Sequence, residues 1–390
     1  MREGWTYKKL GEVCETSSGG TPSKSHMEYY EGGTIPWLRS GEVAQGLIYN
    51  TELCITDLGL EKSSAKIFPV NTVVIAMYGA TVGQVGLLKK EMATNQAICG
   101  ILPNSKLFPL FLLYSLKSKK SDFLKDAVGG AQPNISQNLI KKTLIPIPPL
   151  AEQERIVAEL DLLSSIIEKK KAQLSEYDQL AQSIFYTMFG DPITNEKGWD
   201  CSNIDDICIS IVRGPFGSAL KKEFFIKKNP KAYKVYEQKH AIQKSAQIGE
   251  YYISEEKYQE LKRFEVFPND VIMSCSGTIG ELFVIPEFAE KGIMNQALLK
   301  FTLNYNIIDI YYFLFVMQYV KHSLVVHGSG LQNIGSVSIL KNIKLSVPPL
   351  SLQQEFAEKI EAIEKQKALV QASIVETETL FNSRMDYYFG

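Results

Sequence analysis

Apolar positions follow two regimes along the chain, and each regime occurs twice. Over residues 1–150 and 191–350, short apolar runs alternate with Gly, Pro and Asn turns, as in "NTVVIAMYG" (71–79) and "DVIMSCSG" (270–277). Such runs predict strands of a compact domain. A longer aromatic stretch follows in each, "FPLFLLYSLKSKK" (108–120) and "IDIYYFLFVMQYVKH" (308–322), and predicts a buried helix. After "IPPL" at 147–150 the spacing turns helical. Ile156, Leu160, Leu163, Ile167, Lys170, Leu174, Tyr177, Ala181, Ile184 and Met188 recur at alternating steps of four and three. The second copy gives Phe356, Ile360, Ile363, Lys367, Val370, Ile374, Thr377, Phe381, Arg384 and Tyr388. This is a heptad seam, longer than a short surface helix requires and suited to one partner helix, the alternative being that each helix folds back on its own globular domain. The two copies are each other's obvious partner, and a two-fold relation between them predicts antiparallel pairing. The span from Ile156 to Met188 corresponds to roughly 50 Å at 1.5 Å per residue. Pro148-Pro149 and Pro348-Pro349 suit a helix start, and Glu152 and Glu154 favour the first turn.

The repeat covers the chain. Trp5, Leu10, Val13, Cys14 and Gly20 match Trp199, Ile204, Ile207, Cys208 and Gly214. "TNQA" (94–97) matches "MNQA" (294–297), and both copies end in Phe-Gly, at 189–190 and 389–390. Glycine turns carrying Gln132 and Gln332 precede each Pro-Pro-Leu. "KKEFFIKKNPKAYKVYEQKH" (221–240) reads as an insertion in the second copy. The expected fold is α+β, with globular segments 1–148 and 191–348 and long helices 149–190 and 349–390.

Charge separates the two kinds of module. The net charge is −1 over 390 residues, which argues against a strongly basic nucleic-acid binder. By segment it is +4 for 1–150, −3 for 151–190, +1 for 191–350 and −3 for 351–390. The start lacks a signal-peptide core, no run reaches membrane-span length, and a soluble cytoplasmic protein is expected. Cys14, Cys54, Cys99, Cys201, Cys208 and Cys275 form no C-x-x-C pair and read as reduced structural thiols. His26, His240, His322 and His327 show no ligand spacing, so no metal site is expected. No phosphate-binding glycine loop or nucleophile elbow is present. "IPPL" lacks both the amide or carboxylate and the aromatic that a base-methylating Pro-Pro loop requires.

The polar residues that the resemblance given next would make candidate DNA contacts lie on loops. In the first domain they are Lys24, Arg39, Tyr78, Thr81 and Gln84; in the second, Arg213, Ser218, Lys221, Lys222, Ser276 and Thr278. Arg and Lys suit guanine edges or phosphates, and amides suit adenine. Asn95-Gln96 and Asn295-Gln296 recur in both copies, which favours a shared structural or backbone-contacting role over base choice. "LKSKKSDFLK" (116–125) reads as a solvated helix end.

The chain resembles the specificity subunit of type I restriction-modification systems. The resemblance rests on "NISQNLIKKTLIPIPPLAEQERIVAEL" (134–160), its echo "NIGSVSILKNIKLSVPPLSLQQEFAEKI" (333–360), "LGEVCETSSGGTPSK" (10–24), "IPWLRSGEV" (35–43) and the repeated Asn-Gln-Ala. It implies two target-recognition domains, each reading half of a split, asymmetric site on double-stranded DNA. It implies helices that set the gap and dock two methylation subunits, with two restriction subunits as further partners. Cofactors are then none in this chain, with S-adenosylmethionine and ATP on the partners. The second copy departs from the pattern, since "LSLQQEF" replaces "LAEQERI" and Thr377 and Arg384 weaken the seam. Two other readings stay open on the residues alone: a non-catalytic protein-interaction scaffold, and the recognition part of a split adenine methyltransferase.

Overall fold

A computed structural model describes residues 4–127, 133–326 and 337–390. The glycine turns with Gln132 and Gln332, and His327, lie outside the described residues. The chain forms two compact units, one of residues 1–172 and 371–390, the other of residues 173–370.

The strand-like runs become strands in both units. In the first, Thr16–Ser18, Ile98–Ile101, Val73–Ala76, Val85–Leu88 and Leu47–Ile48 lie side by side in that order. A second sheet runs Cys54–Ile55, Ile35–Leu38, Met92–Thr94, Ile67–Phe68. Thr6–Lys9 pairs antiparallel with Leu144–Ile147. The second unit repeats this plan. One sheet runs Cys208–Arg213, Leu298–Leu303, Val271–Ser274, Leu282–Val284 and another Tyr252–Ile253, Tyr233–Tyr236, Gly292–Met294, Glu265–Val266. Cys201–Asn203 pairs with Lys344–Ser346. The aromatic stretches form helices Pro109–Ser118 and Ile310–Val326. Phe111, Leu113 and Leu116 of the one, and Tyr312, Phe313 and Val316 of the other, are buried against the sheets.

Two sequence-level matches need correction. "KKEFFIKKNPKAYKVYEQKH" is not wholly an insertion, because its end supplies strand Tyr233–Tyr236, the counterpart of Ile35–Leu38. Gly214 corresponds to Gly19, not Gly20: the Gly214 amide donates to Leu298 O as that of Gly19 does to Ile98 O. A bulge between Cys208 and Ser210 takes up the extra residue.

The long helices run Leu150–Phe189 and Leu350–Phe389, 40 residues each and about 60 Å long. They exceed the seam because each begins directly after its Pro-Pro. The carbonyls of Pro149 and Pro349 accept the first helical bonds, from Gln153 N (3.1 Å) and Gln353 N (3.2 Å). A buried glutamine fastens each start. Gln153 donates Nε2 hydrogens to Pro148 O (2.8 Å) and Lys106 O (3.0 Å), and its Oε1 accepts from Phe108 N (2.8 Å). Gln353 does the same with Pro348 O (2.7 Å), Ile307 O (3.1 Å) and Asp309 N (2.8 Å).

The helices pair antiparallel within each unit. In the first, Glu159 meets Arg384 (2.7 Å) and the Tyr388 hydroxyl (2.6 Å), while Lys171 meets Glu378 (3.1 Å). In the second, Phe185 and Phe189 pack on Phe356, and Asp178 meets Lys367 (2.8 Å). Every seam residue is buried or half-buried, including Leu163, Leu174, Tyr177, Ile184, Val370, Ile374 and Phe381. The polar seam positions do not stand alone. Lys170 donates to Ser373 O, Ser373 Oγ (2.6 Å) and Thr377 Oγ1 (2.8 Å), and Arg384 ion-pairs with Glu159. No described helix is long and apolar enough to cross a membrane.

Candidate nucleic-acid interface

Each unit contains one parallel strand pair that ends in the recurring Asn-Gln-Ala turn. Trp37 and Leu38 pair with Ala93 and Thr94 in the first unit. Lys234, Val235 and Tyr236 pair with Gly292, Ile293 and Met294 in the second. Both turns are then held by the same main-chain bonds. Asn95 N donates to Leu38 O (2.9 Å) and Asn295 N to Tyr236 O (2.9 Å). Met77 N donates to Ala97 O (2.8 Å) and Cys275 N to Ala297 O (2.8 Å). The glycines before the turns are required by close approach. A Cβ on Gly19 would lie 2.0 Å from Thr94 O, and one on Gly214 would lie 1.8 Å from Asn295 O.

This frame gives correspondences that sequence alignment misses. Leu38 matches Tyr236, so Arg39 matches Glu237, Ser40 matches Gln238 and Glu42 matches His240. Met77 matches Cys275, so Tyr78 matches Ser276. Arg39 and Glu237 each precede a short helical turn, and each backbone amide is received by the side chain three residues on. Arg39 N donates to Glu42 Oε2 (3.0 Å), and Glu237 N donates to His240 Nδ1 (2.9 Å).

The side chains on the frame differ. In the first unit, Arg39 is 40% exposed and its guanidinium pairs with Glu42 and Glu52. Gln96 receives the Thr21 hydroxyl, and Tyr78 stands exposed beside the turn. Asn95 Oδ1 is enclosed and has no hydrogen-bond partner among the described residues. Lys24 is exposed on the loop beyond Thr21. Thr81 ends the short turn Gly79–Thr81, which touches the turn Ser40–Gln45, and its hydroxyl donates to Tyr78 O (3.5 Å); Gln84 lies further along. Gln84 follows Gly83, whose added Cβ would meet Phe123 and Lys120.

In the second unit a cleft of about 480 Å³ opens between Arg213, Phe216, Gln238, Lys239, Ser276 and Gln296. Arg213 Nε donates to Gln296 O (3.0 Å), and its guanidinium lies over the Phe216 ring. Asn295 Oδ1 accepts from Ala297 N (3.0 Å), a purely structural bond. Ser276 Oγ donates to Gln238 Oε1 (2.7 Å). Lys239 pairs with Glu237 (2.8 Å) and lies over Tyr251. Of the residues read from sequence, Arg213, Ser276, Asn295 and Gln296 therefore come together. Ser218, Lys221 and Lys222 stay on an exposed loop, with Lys221 paired to Glu223 (3.6 Å). Thr278 is exposed, and its carbonyl takes the Ser274 hydroxyl (2.5 Å). Sequence reading missed Phe216, Gln238 and Lys239. The signal was the aromatic-ended "KVYEQK", which mirrors "PWLRSG".

Burial sets the ionisation around these frames. His240 is fully buried, and burial pushes its imidazole below the usual value; as the neutral Nε2 tautomer it donates to Ile248 O (2.8 Å). The thiols of Cys99 and Cys275 are buried and pushed up to about 12 and about 11, so they remain protonated. Cys201 is exposed, unlike these two.

The family model for the type I restriction modification DNA specificity domain matches residues 2–176 and again 196–379. Among curated relatives, the chain is 31% identical over 223 residues to the type I restriction enzyme MjaIX specificity subunit of Methanocaldococcus jannaschii, covering 52% of this chain and 51% of the relative. It is 30% identical over 165 residues to the EcoR124I/EcoR124II specificity subunit of Escherichia coli, covering 41% of each. The matched part thus spans about half of the first relative and two fifths of the second. Against the MjaVIII specificity subunit the match is 21% identical and covers 93% of this chain and 86% of the relative. The fold is shared with a crystal structure of a type I restriction-modification S subunit from M. genitalium, at TM-score 0.57 and 15% identity over 99% of this chain and 96% of that one. A structure from a study of complex assembly and conformational transition in the type I R-M system gives TM-score 0.64 at 18% identity, covering 100% and 98%.

Proposed function

The chain belongs to the type I restriction modification DNA specificity family, and on that footing we propose that it is the DNA-reading subunit of such a complex. Each domain reads one half of a bipartite, asymmetric site in double-stranded DNA. The chain performs no catalysis. Its partners are two methylation subunits, which carry S-adenosylmethionine and modify adenine, and two restriction subunits, which use ATP. The helices fix the gap between half-sites and dock the methylation subunits. The complex works in the cytoplasm.

One observation carries this reading. The same main-chain frame is built twice, and the side chains set on it differ at matched positions: Arg39, Ser40 and Tyr78 against Glu237, Gln238 and Ser276. A frame kept constant while its polar display changes suits two readers of two different words. The acidic helices, −3 each, make poor tracks for phosphate, whereas the globular segments are positive.

The test is modified-base sequencing in a methylation-free host. Co-expression with the cognate methylation subunit should place N6-methyladenine at one split motif that is absent without this chain. Exchanging residues 1–148 for another recognition domain should change one half of the motif only. A change in both halves, or in neither, overturns the two-reader model.

A further inference from the structure

Gln238 stands apart from the other polar groups of the second unit's cleft. The neighbouring cations are already engaged, Arg213 by Gln296 O and Phe216, and Lys239 by Glu237 and Tyr251. Gln238 is held at one atom only. Its Oε1 accepts the Ser276 hydroxyl hydrogen at 2.7 Å, and its Nε2 has no acceptor among the described residues. The amide lies beside Gly277, where an added Cβ would come 3.5 Å from Nε2. Gly277 has φ +65° and is exposed, so the amide edge faces open cleft. An amide fixed through its oxygen by a hydroxyl, with two N–H groups and one oxygen lone pair unused, matches one partner best. Adenine in the major groove presents N7 as acceptor and N6–H₂ as donor, and a glutamine amide meets both.

We infer that Gln238 is a specificity-determining residue of the second domain, reading an adenine in its half-site, and that Ser276 is the positioning residue that orients it. The first domain lacks this device, since Ser40 and Tyr78 occupy the matched positions. Its half-site is read by other groups.

The inference rests on the DNA-reading function proposed above, so the experiment separates the two. The full chain and its methylation subunit are co-expressed in a methylation-free host, as wild type and as Gln238→Met, Gln238→Glu and Ser276→Ala. The wild-type complex should methylate one split motif. Gln238→Met should relax a single A·T position in the half that residues 1–148 do not control, with discrimination there falling about ten- to a hundred-fold. Gln238→Glu should shift that position toward cytosine, whose N4 amine donates to a carboxylate. Ser276→Ala should relax the same position less. A wild-type motif left unchanged by both Gln238 substitutions overturns the inference while the reading function stands. Relaxation at a G·C position, or in both halves, also overturns it. A wild-type complex with no chain-dependent motif overturns the reading function itself. Where a variant complex methylates nothing, competition between duplexes carrying one replaced base pair each decides. Loss of preference at one adenine supports the assignment, and wild-type preference at every position removes it.

Discussion

The two halves of the chain agree in their main-chain bonds and disagree in their side chains. Asn95 and Asn295 make the same backbone bond, but Asn295 Oδ1 is satisfied by Ala297 N while Asn95 Oδ1 is enclosed without a partner among the described residues. Glu42 and His240 fill one structural position with a carboxylate in one unit and a neutral imidazole in the other. Gln153 and Gln353, by contrast, repeat all three hydrogen bonds. The main-chain bonds are thus duplicated, while the side chains at Arg39 and Glu237, Ser40 and Gln238, and Tyr78 and Ser276 differ. A repeat of this kind separates support from display, and the separation can be tested copy against copy.

The largest contrast is expected at the helix ends. Phe185 is fully buried among Phe189, Tyr312, Phe315, Tyr319 and Phe356, whereas its counterpart Met385 is half-buried. Phe185→Ala should cost about 3–5 kcal/mol in urea unfolding, and Met385→Ala only about 1–2 kcal/mol. Equal losses would mean that the two helix ends are packed alike. Next come the glutamines, where the copies should agree. Gln153→Ala and Gln353→Ala each leave a backbone amide and two carbonyls without their partner, for roughly 1–3 kcal/mol apiece.

A smaller effect divides the units by pH. Burial holds the His240 imidazole below its usual value of about 6.5. As pH falls below that value the unfolded chain binds a proton that the folded chain refuses. Stability is therefore full above about pH 6.5 and declines below it, by at most about 1.4 kcal/mol per pH unit. His240→Gln should flatten this limb in a series of melts. Glu281, held below the usual carboxylate range by hydrogen bonds from Lys321 and Lys244, would contribute only at more acid pH. Smallest is the seam. Lys367 pairs with the exposed carboxylates of Asp178 and Glu364, so Lys367→Met should change stability by less than about 1 kcal/mol.

Periodicity made the helices legible. The 3-4 spacing marked positions that are buried or half-buried but passed over Phe185 and Phe189, which pack on Phe356, and the polar interruptions fell where the structure supplies cross-helix partners, such as Thr377 for Lys170. The Asn-Gln-Ala turn was legible because it is repeated. Strand Tyr233–Tyr236 was not, because its pattern is broken by Lys234, a lysine only 1% exposed that reaches Glu290 at 3.4 Å. Read from sequence, such a lysine signals a surface loop, and the strand was absorbed into an apparent insertion. Gln238 went unnoticed for the same reason. Its significance comes from Ser276, 38 residues away, which only the turn after Val271–Ser274 brings to it.

Each long helix contributes one half to each compact unit, and this has a consequence for synthesis. Residues 173–370 contain everything the second unit needs, so it can close as soon as they leave the ribosome. The first unit cannot, because the partner for Ile156 and Leu160 lies in residues 371–390. At about 5–20 residues per second, roughly 10–40 s separate the appearance of the two halves of its seam. During that interval the nascent chain carries an unpaired apolar stripe, and the part made first is the part finished last.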